Sequence, residues 1–181
     1  KFKDIYNNKA KSKMKIAAKD RVLCAKNRKN HFEGVLDVMD KLTNLIKPKK
    51  IFMGKKDFQQ LFLVKNFIEK KFKTKIIGCK TIRDKKKLAL SSRNYLFNKD
   101  DLEVARNISK NFFLIKKKIK KHKNIKKFLL ETKNNMQKKF KVKIEYLELR
   151  NEKTLNVTKK FRGSKLFVAY YLKNIRLIDN I

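Results

Sequence analysis

The sequence of residues 51–79 is IFMGKKDFQQLFLVKNFIEKKFKTKIIGC, and this stretch decides the fold class. It opens with a short apolar run, residues 51–53, which ends at Gly54 as a buried strand would. Apolar residues then recur at helical spacing over residues 57–72, and a second apolar run follows at residues 75–79. A strand, a helix and a strand of these lengths predict a βαβ unit with a parallel sheet.

The same periodicity predicts further elements on both sides of this unit. Before it, residues 34–47 carry apolar side chains at helical spacing, and Pro48, the only proline, ends that helix. After residue 94 the pattern predicts two helices, 99–120 and 124–139, and then three strands, 142–149, 166–171 and 175–178. Helices followed by strands predict a separate small α+β domain. We therefore expect one domain over residues 1–96 and a second over residues 97–181.

Composition limits the class of protein. With 181 residues, 41% of them apolar, the chain can form one ordinary domain or two small ones. The apolar runs are too short to span a bilayer and no signal-peptide pattern occurs, so we expect no membrane partner. Cys24 and Cys79 lie far apart without a CxxC pair, which predicts reduced thiols in a cytoplasmic protein.

The formal net charge of +36 leaves two interpretations open. Lys and Arg displace counterions from phosphate, so a charge of this size suggests a nucleic acid or an anionic membrane as partner. The lysines are scattered along the chain, however, which favours a solvated lysine surface. A basic nucleic-acid-binding protein remains the alternative from charge alone, and we expect no specific nucleic acid as partner.

Residues 54–60 follow the first predicted strand and open the helix, which is where open α/β sheets bind ligands. Gly54 lets a ligand approach the backbone, and the first N–H groups of the helix can hold a phosphate. Lys56 can bind phosphate, although one lysine in so basic a chain carries little information. Asp57 can accept from a ribose hydroxyl, or it can simply cap the helix. Glutamine is rare in this chain. Gln60 lies in the first turn of the predicted helix, and this spacing makes it a candidate for binding the substrate.

Residues 88–94, LALSSRN, form the second segment whose side chains suit ligand binding or catalysis. Two hydroxyls and a guanidinium in succession, at Ser91, Ser92 and Arg93, suit a phosphate clamp. An ordinary helix N-cap supplied by Ser91 or Ser92 explains the serines equally well. Arg28 and His31 form a third and weaker cluster, because a lone histidine is more often a structural hydrogen-bonding residue.

Together these segments resemble the pantoate-β-alanine ligase family of adenylate-forming nucleotidyltransferases. The family patterns are R-P-G-H-F-x-G-V, P-x-x-x-x-x-G-E-K-D-x-Q-Q and V-R-x-x-D-G-L-A-x-S-S-R-N, with Y-L-E-L, T-L and T-R-L-I-D-N towards the end. The matching segments of the chain are RKNHFEGV at 28–35, GKKDFQQ at 54–60, IR at 82–83, LALSSRN at 88–94, YLEL at 146–149, TL at 154–155 and IRLIDN at 175–180. Their order and spacing agree with the family over essentially the whole chain.

The resemblance implies a fold, an activity and a set of site residues. The fold is α/β: a partial Rossmann-like nucleotidyltransferase domain with a parallel sheet, followed by a small α+β C-terminal domain. ATP activates pantoate as an acyl adenylate, and the amine of β-alanine then displaces AMP to give pantothenate. ATP is implied to bind to Gly54, Lys55, Lys56, Asp57, Ile82, Leu90, Ser91, Ser92 and Arg93. Catalysis is assigned to Lys56, Ser91, Ser92 and Arg93, pantoate binding to Gln60, and support to Arg28 and His31. The resemblance also implies Mg²⁺ carried by the triphosphate, no metal ion held by the protein itself, and a homodimer.

The chain departs from the family patterns in three places. Lys55 stands where the family has Glu, and Lys86-Lys87 replaces Asp-Gly before Leu88, which we expect to stiffen the loop or change its closure. The first family signature, M-G-x-L-H-x-G-H with its catalytic histidines, and an upstream pantoate-binding glutamine do not occur in the sequence. Because the chain also begins at Lys1 rather than Met, we expect it to be the C-terminal two-thirds of a family member, inactive alone.

Overall fold

A computed structural model describes residues 14–181 of the chain. The chain divides into two compact units between Lys80 and Thr81. The sequence instead places a domain boundary at residues 96–97, and that assignment of functional domains stays a prediction. Within residues 14–181, no helix is both long and apolar enough to cross a membrane.

Within residues 14–80, the first unit contains two helices longer than one turn and two parallel strands. These are α1 (His31–Ile46), β1 (Lys50–Gly54), α2 (Phe58–Lys71) and β2 (Lys75–Cys79). A single 3-10 turn, Lys55–Asp57, joins β1 to α2. Strands β1 and β2 pair in parallel, with Lys50 opposite Lys75 and Gly54 opposite Cys79. The predicted βαβ unit is therefore confirmed.

Helix α2 packs by its apolar stripe, in which Leu61, Val64 and Ile68 are buried. Helix α1 begins at His31, three residues before the predicted start, because the chain has already turned at Asn30, whose φ is 58°. Asparagine tolerates this left-handed conformation better than most residues. The following Phe32 is buried, so the first turn of α1 belongs to the core.

The two-stranded sheet has one covered face and one exposed face. Ile76 on β2 is buried and its partner Ile51 on β1 is half-buried. Alternate residues point the other way. On that opposite face Phe52 is 66% exposed and its partner Ile77 is 38% exposed.

The second unit has two helices beside an antiparallel sheet of three strands. The helices are α3 (Lys99–Lys118) and α4 (Ile125–Phe140), and the strands are β3 (Lys143–Asn151), β4 (Ser164–Leu172) and β5 (Ile175–Asn180), in the order β3-β4-β5. Side-chain oxygens of Asn98 and Asn124 cap the two helices, accepting from the N–H groups of Asp101 and Lys127. Ile108 and Phe112 of α3 share one buried core with Leu166 and Val168 of β4. A parallel α/β unit followed by an α+β unit confirms the predicted fold class.

Candidate functional site

Gly54 is the last residue of β1 and leads into the turn before α2. Its φ of −69° is open to any residue, so the backbone conformation does not require glycine. A methyl group at this Cα would meet no atom of the described residues within 4 Å. The packing of this part of the chain therefore does not require glycine either, and the open space beside Gly54 suits a close approach by a ligand.

Lys55 lies against the end of β2, which gives a physical role to one departure from the family pattern. A methyl group on Gly78 would come within 3.0 Å of Lys55 Cε and 3.1 Å of Leu61 Cδ2. Gly78 thus leaves room for the aliphatic stem of Lys55, whose Cγ and Cε atoms lie next to it. Lys56, the next residue, is half-buried in the same turn.

Asp57 immediately precedes α2, yet its side chain makes no capping hydrogen bond to that helix. The interpretation of Asp57 as a helix cap is therefore wrong for this structure. The residue is exposed, which leaves the carboxylate accessible at the start of the helix.

The adjacent glutamines of α2 have different environments. Gln59 is 5% exposed, and its amide bonds the backbone of residues 20–25. Gln60 is half-buried, and within residues 14–181 its amide has no hydrogen-bond partner. Gln60 is thus the glutamine whose amide is free to bind a ligand.

Arg28 and His31 flank the turn that begins α1. The backbone N–H of His31 donates to the carbonyl oxygen of Arg28 at 3.3 Å, and the Arg28 side chain is exposed. The imidazole of His31 is half-buried, with its ring centroid 4.9 Å from that of Phe32. Two residues after His31, Glu33 Oε1 accepts from Arg21 Nη2 at 2.6 Å.

In the second unit, residues 82–90 form a small hairpin. The backbone N–H of Leu90 donates to the Ile82 carbonyl oxygen at 3.0 Å, and Arg83 pairs antiparallel with Ala89. The side chains of both Ile82 and Leu90 are exposed. The hairpin thus presents these two predicted ATP contacts on its surface.

Asp84 and Lys87 shape the tip of the hairpin. Asp84 Oδ1 accepts from the N–H groups of Lys86 and Leu88, each at 2.9 Å, as in an Asx turn. Asp84 Oδ2 accepts from Arg106 Nε at 2.8 Å. Lys87, which replaces the family glycine, has a φ of 77°. The backbone at this position thus keeps a conformation that favours glycine, although the residue is lysine.

Ser91, Ser92 and Arg93 follow the hairpin and begin the 3-10 helix Ser92–Leu96. The Ser91 hydroxyl accepts from the backbone N–H of Arg93 at 3.2 Å, so the N-cap interpretation of Ser91 is confirmed. Ser92 is exposed. Arg93 Nη1 donates to the Arg176 carbonyl oxygen at 3.0 Å, which ties this segment to β5.

Arg83 anchors the hairpin, a role that the sequence analysis did not assign. Its guanidinium bonds both carboxylate oxygens of Asp179 on β5, at 2.6 and 2.7 Å, and the Asn180 carbonyl oxygen at 3.2 Å. The guanidinium also lies 5.0 Å from the ring centroid of Phe113. Arg83 and Asp179 both fall in family segments quoted above, and this membership is the only feature of the sequence that could have indicated their importance.

The structure therefore distributes the predicted site residues over both units. The first unit carries Arg28, His31, Gly54, Lys55, Lys56, Asp57 and Gln60, and the second carries Ile82, Leu90, Ser91, Ser92 and Arg93. Their catalytic and binding roles stay predictions. Within residues 14–181, no three His, Cys, Asp or Glu side chains are grouped so that they could hold a metal ion.

A parallel βαβ unit with an open glycine at the carboxyl end of β1, followed by a helix N-terminus, is typical of nucleotide-binding α/β proteins. Comparison with known proteins identifies the family within that class. The pantoate-beta-alanine ligase family model matches residues 1–181, and the chain belongs to this family.

Two curated relatives are pantothenate synthetases. The chain is 33% identical over 184 residues to that of Sulfurihydrogenibium sp. (strain YO3AOP1), covering 99% of this chain and 66% of the relative. It is 36% identical over 182 residues to that of Flavobacterium psychrophilum, covering 98% of this chain and 64% of the relative. The chain thus spans about two thirds of the length of these relatives.

Two solved structures are also similar. Pantothenate synthetase from Thermus thermophilus superposes with a TM-score of 0.88 at 23% identity, over 100% of this chain and 67% of that one, which shows the fold. Pantoate-beta-alanine ligase from Francisella tularensis, complexed with beta-gamma ATP and beta-alanine, has a TM-score of 0.75 at 30% identity, over 99% of this chain and 61% of that one.

Proposed function

We propose that this chain carries nucleotide and pantoate contacts of a pantoate-β-alanine ligase, which condenses pantoate with β-alanine at the expense of ATP. The observation that carries the proposal is the family match over residues 1–181. The Francisella relative, complexed with beta-gamma ATP and beta-alanine, supports the choice of two of the three substrates.

The proposed reaction has two steps. A carboxylate oxygen of pantoate attacks the α-phosphorus of ATP, and the bond to pyrophosphate breaks, which leaves pantoyl adenylate. The β-alanine amine then attacks the acyl carbon, loses a proton and displaces AMP. Both steps build negative charge on phosphate oxygens, which preorganised cationic and N–H donors stabilise.

In the first unit, the end of β1 is proposed to receive ATP phosphates. The open space beside Gly54 fits a phosphate, and the first N–H groups of the turn and helix have no helical acceptor. Lys56 supplies a positive charge there. Lys55 contributes through its backbone because its stem lies against Gly78. Asp57, uncapped and exposed, is placed to accept from a hydroxyl or amine.

In the second unit, the hairpin and the segment after it are proposed to bind ATP. Exposed Ile82 and Leu90 offer apolar surface to the adenosine part. The Ser92 residue is exposed, whereas the Ser91 hydroxyl already accepts from the backbone N–H of Arg93. We therefore propose that Ser91 chiefly fixes the conformation of this segment. Arg93 uses one of its five N–H donors on Arg176, which leaves others for phosphate.

The remaining assignments complete the proposal. Gln60 hydrogen-bonds pantoate through its amide, which has no hydrogen-bond partner among residues 14–181, and Arg28 and His31 support the same site. Mg²⁺ enters as the counterion of the ATP phosphates. The active form is a homodimer in the cytoplasm. A nucleic-acid partner, the alternative from charge, gains no support from the comparisons, which indicate a small-molecule ligase family.

The test is pantoate-dependent exchange between ATP and pyrophosphate, in the chain extended at its amino end to the length of its relatives. Lys56→Ala and Arg93→Ala should each lower this exchange by roughly two to three orders of magnitude, the scale of losing one donor to a transition-state charge. Lys65→Ala is the matched control, because Lys65 is an exposed lysine of α2 paired with Glu69. Exchange near the unchanged level in both test variants would contradict the proposed roles.

A further inference from the structure

We propose that Gln59 is a positioning residue: it holds residues 20–25, and through them the Arg28–His31 turn that follows, in the shape that lets Gln60 and its supporting residues bind pantoate. This inference rests on the proposed function for its substrate. Its structural part rests on three hydrogen bonds and one strained turn, all within the first unit.

The Gln59 amide bridges three backbone groups that lie far away in sequence. Nε2 donates to the carbonyl oxygens of Asp20 at 3.0 Å and Val22 at 2.7 Å, and Oε1 accepts from the backbone N–H of Ala25 at 3.3 Å. The side chain is buried, so water cannot easily replace these contacts. Only an amide supplies two donors and one acceptor here, because a carboxylate has no donor.

The segment that Gln59 holds contains a strained residue. Leu23 has φ 50° and ψ −122°, and the N–H of Ala25 donates to the carbonyl oxygen of Val22 at 2.9 Å. This is the geometry of a type II′ turn, which normally has glycine at the Leu23 position. Such a conformation persists only where surrounding contacts enforce it. Gln59 bonds the residue before the turn centre and the residue after it, and therefore supplies that enforcement.

The held turn continues directly into predicted site residues. A one-turn helix, Cys24–Asn27, follows it, and next come Arg28 and the left-handed Asn30 that starts α1. On α2 the residue after Gln59 is Gln60. A buried amide on the first turn of α2 therefore holds the backbone that leads into the Arg28–His31 turn.

The test compares variants of the three glutamines in the whole chain. Gln59→Glu and Gln59→Ala remove the donors, and Gln60→Ala removes the proposed pantoate ligand. Gln137→Ala is the matched structural control, since Gln137 Oε1 accepts from Ile144 N at 2.8 Å in the second unit. Without ligand, both Gln59 variants should accelerate amide hydrogen exchange of residues 20–31 by about tenfold or more. They should also shift the NMR signals of His31, while the signals of His122 in the second unit stay unchanged. The other two variants should do neither.

Pantoate affinity is then measured by calorimetry in the presence of a non-hydrolysable ATP analogue, with the same variants made in the chain extended at its amino end to the length of its relatives. If residues 20–31 keep the competent shape about one tenth of the time, the apparent Kd for pantoate rises about tenfold in Gln59→Ala. Gln60→Ala should weaken pantoate binding without loosening residues 20–31, and Gln137→Ala should leave affinity unchanged. Unchanged exchange or unchanged affinity in both Gln59 variants would overturn the proposal. No pantoate binding by the extended chain without substitutions would overturn the proposed function instead, and hydrogen exchange would still show whether Gln59 holds the turn.

Discussion

Lys87 has a backbone conformation that favours glycine, although the residue carries a long side chain. Its φ of 77° lies in the left-handed region, which costs a non-glycine residue about 1 kcal/mol or more. Lys87→Gly removes this cost but gives the unfolded chain more freedom. We expect a net gain of about 0.5 to 1 kcal/mol in the free energy of unfolding of the second unit. Urea unfolding followed by circular dichroism measures it.

Lys87→Ala is the control for this prediction. It removes the long side chain but keeps the Cβ that makes the left-handed conformation costly. It should therefore give no stabilisation. Equal gains from glycine and alanine would show that the lysine side chain, rather than its backbone, limits the stability of the hairpin.

Single-residue roles were only partly predictable from the sequence. The rarity of glutamine drew attention to residues 59 and 60, but spacing could not show that Gln59 faces a loop more than thirty residues earlier. The sequence also left two interpretations of Ser91 open, and the hydrogen bond from the Arg93 N–H to its hydroxyl decides for the N-cap. Burial and tertiary hydrogen bonds decide such cases, and neither is encoded in local sequence.

The hairpin 82–90 is held to strand β5 by the Arg83–Asp179 pair, whose side chains are 16% and 7% exposed. Arg83→Met leaves the Asp179 carboxylate buried without its cation, and breaking such a pair costs about 3 kcal/mol. We expect a loss of that size in the free energy of unfolding of the second unit, measured by denaturant titration.

The Lys173–Asp101 pair provides a matched comparison, because the Lys173 side chain is 61% exposed. Lys173→Met should cost less than about 1 kcal/mol, as exposed pairs contribute little. Similar losses in Arg83→Met and Lys173→Met would mean that the hairpin is not anchored through Asp179.

Asp84 makes the same hairpin sensitive to acid. Burial raises the pKa of its carboxyl, but the hydrogen bonds from Arg106 and from the N–H groups of Leu88 and Lys86 outweigh it, so the pKa lies below its ordinary value. A lowered pKa in the folded state means that the stabilisation is present above the unfolded-state pKa of about 3.9 and is lost as the pH falls through the folded-state value.

Asp84→Asn tests this effect, since the amide oxygen still accepts from the backbone while the charge facing Arg106 is lost. The variant should be less stable than the unchanged protein near neutral pH, and the difference should shrink as the pH falls below about 4. Thermal unfolding at a series of pH values measures both. A difference that is constant with pH would contradict the assigned charge interaction.

Periodicity predicted the regular elements well because their buried faces recur at fixed spacing. Strand β2 has the predicted bounds, and α2 differs from its prediction by one residue at each end. The start of α1 was missed because it depends on the conformation of Asn30, which apolar spacing does not report. Apolar spacing also did not predict the hairpin tip, because the tip depends on hydrogen bonds from the backbone to Asp84.

At the level of the whole molecule, one face of the β1-β2 sheet is largely exposed. Parallel sheets are normally covered on both faces. Here Phe52 and Ile77 form an apolar pair on a face that is largely exposed. The relatives are longer than this chain, and we expect that additional polypeptide of the relatives' kind covers this face.

Phe52→Lys tests that expectation by comparing two lengths of protein. In this chain the substitution should cost little stability and should reduce aggregation, because the side chain is already 66% exposed. In the chain extended to the length of its relatives it should cost about 2 kcal/mol or more, since a lysine would then be buried in an apolar layer. Leu130→Lys is the control: Leu130 is 58% exposed on α4, and its substitution should have the same small effect at both lengths. If Phe52→Lys were equally mild in both proteins, by thermal unfolding and light scattering, the additional polypeptide would not cover this face of the sheet.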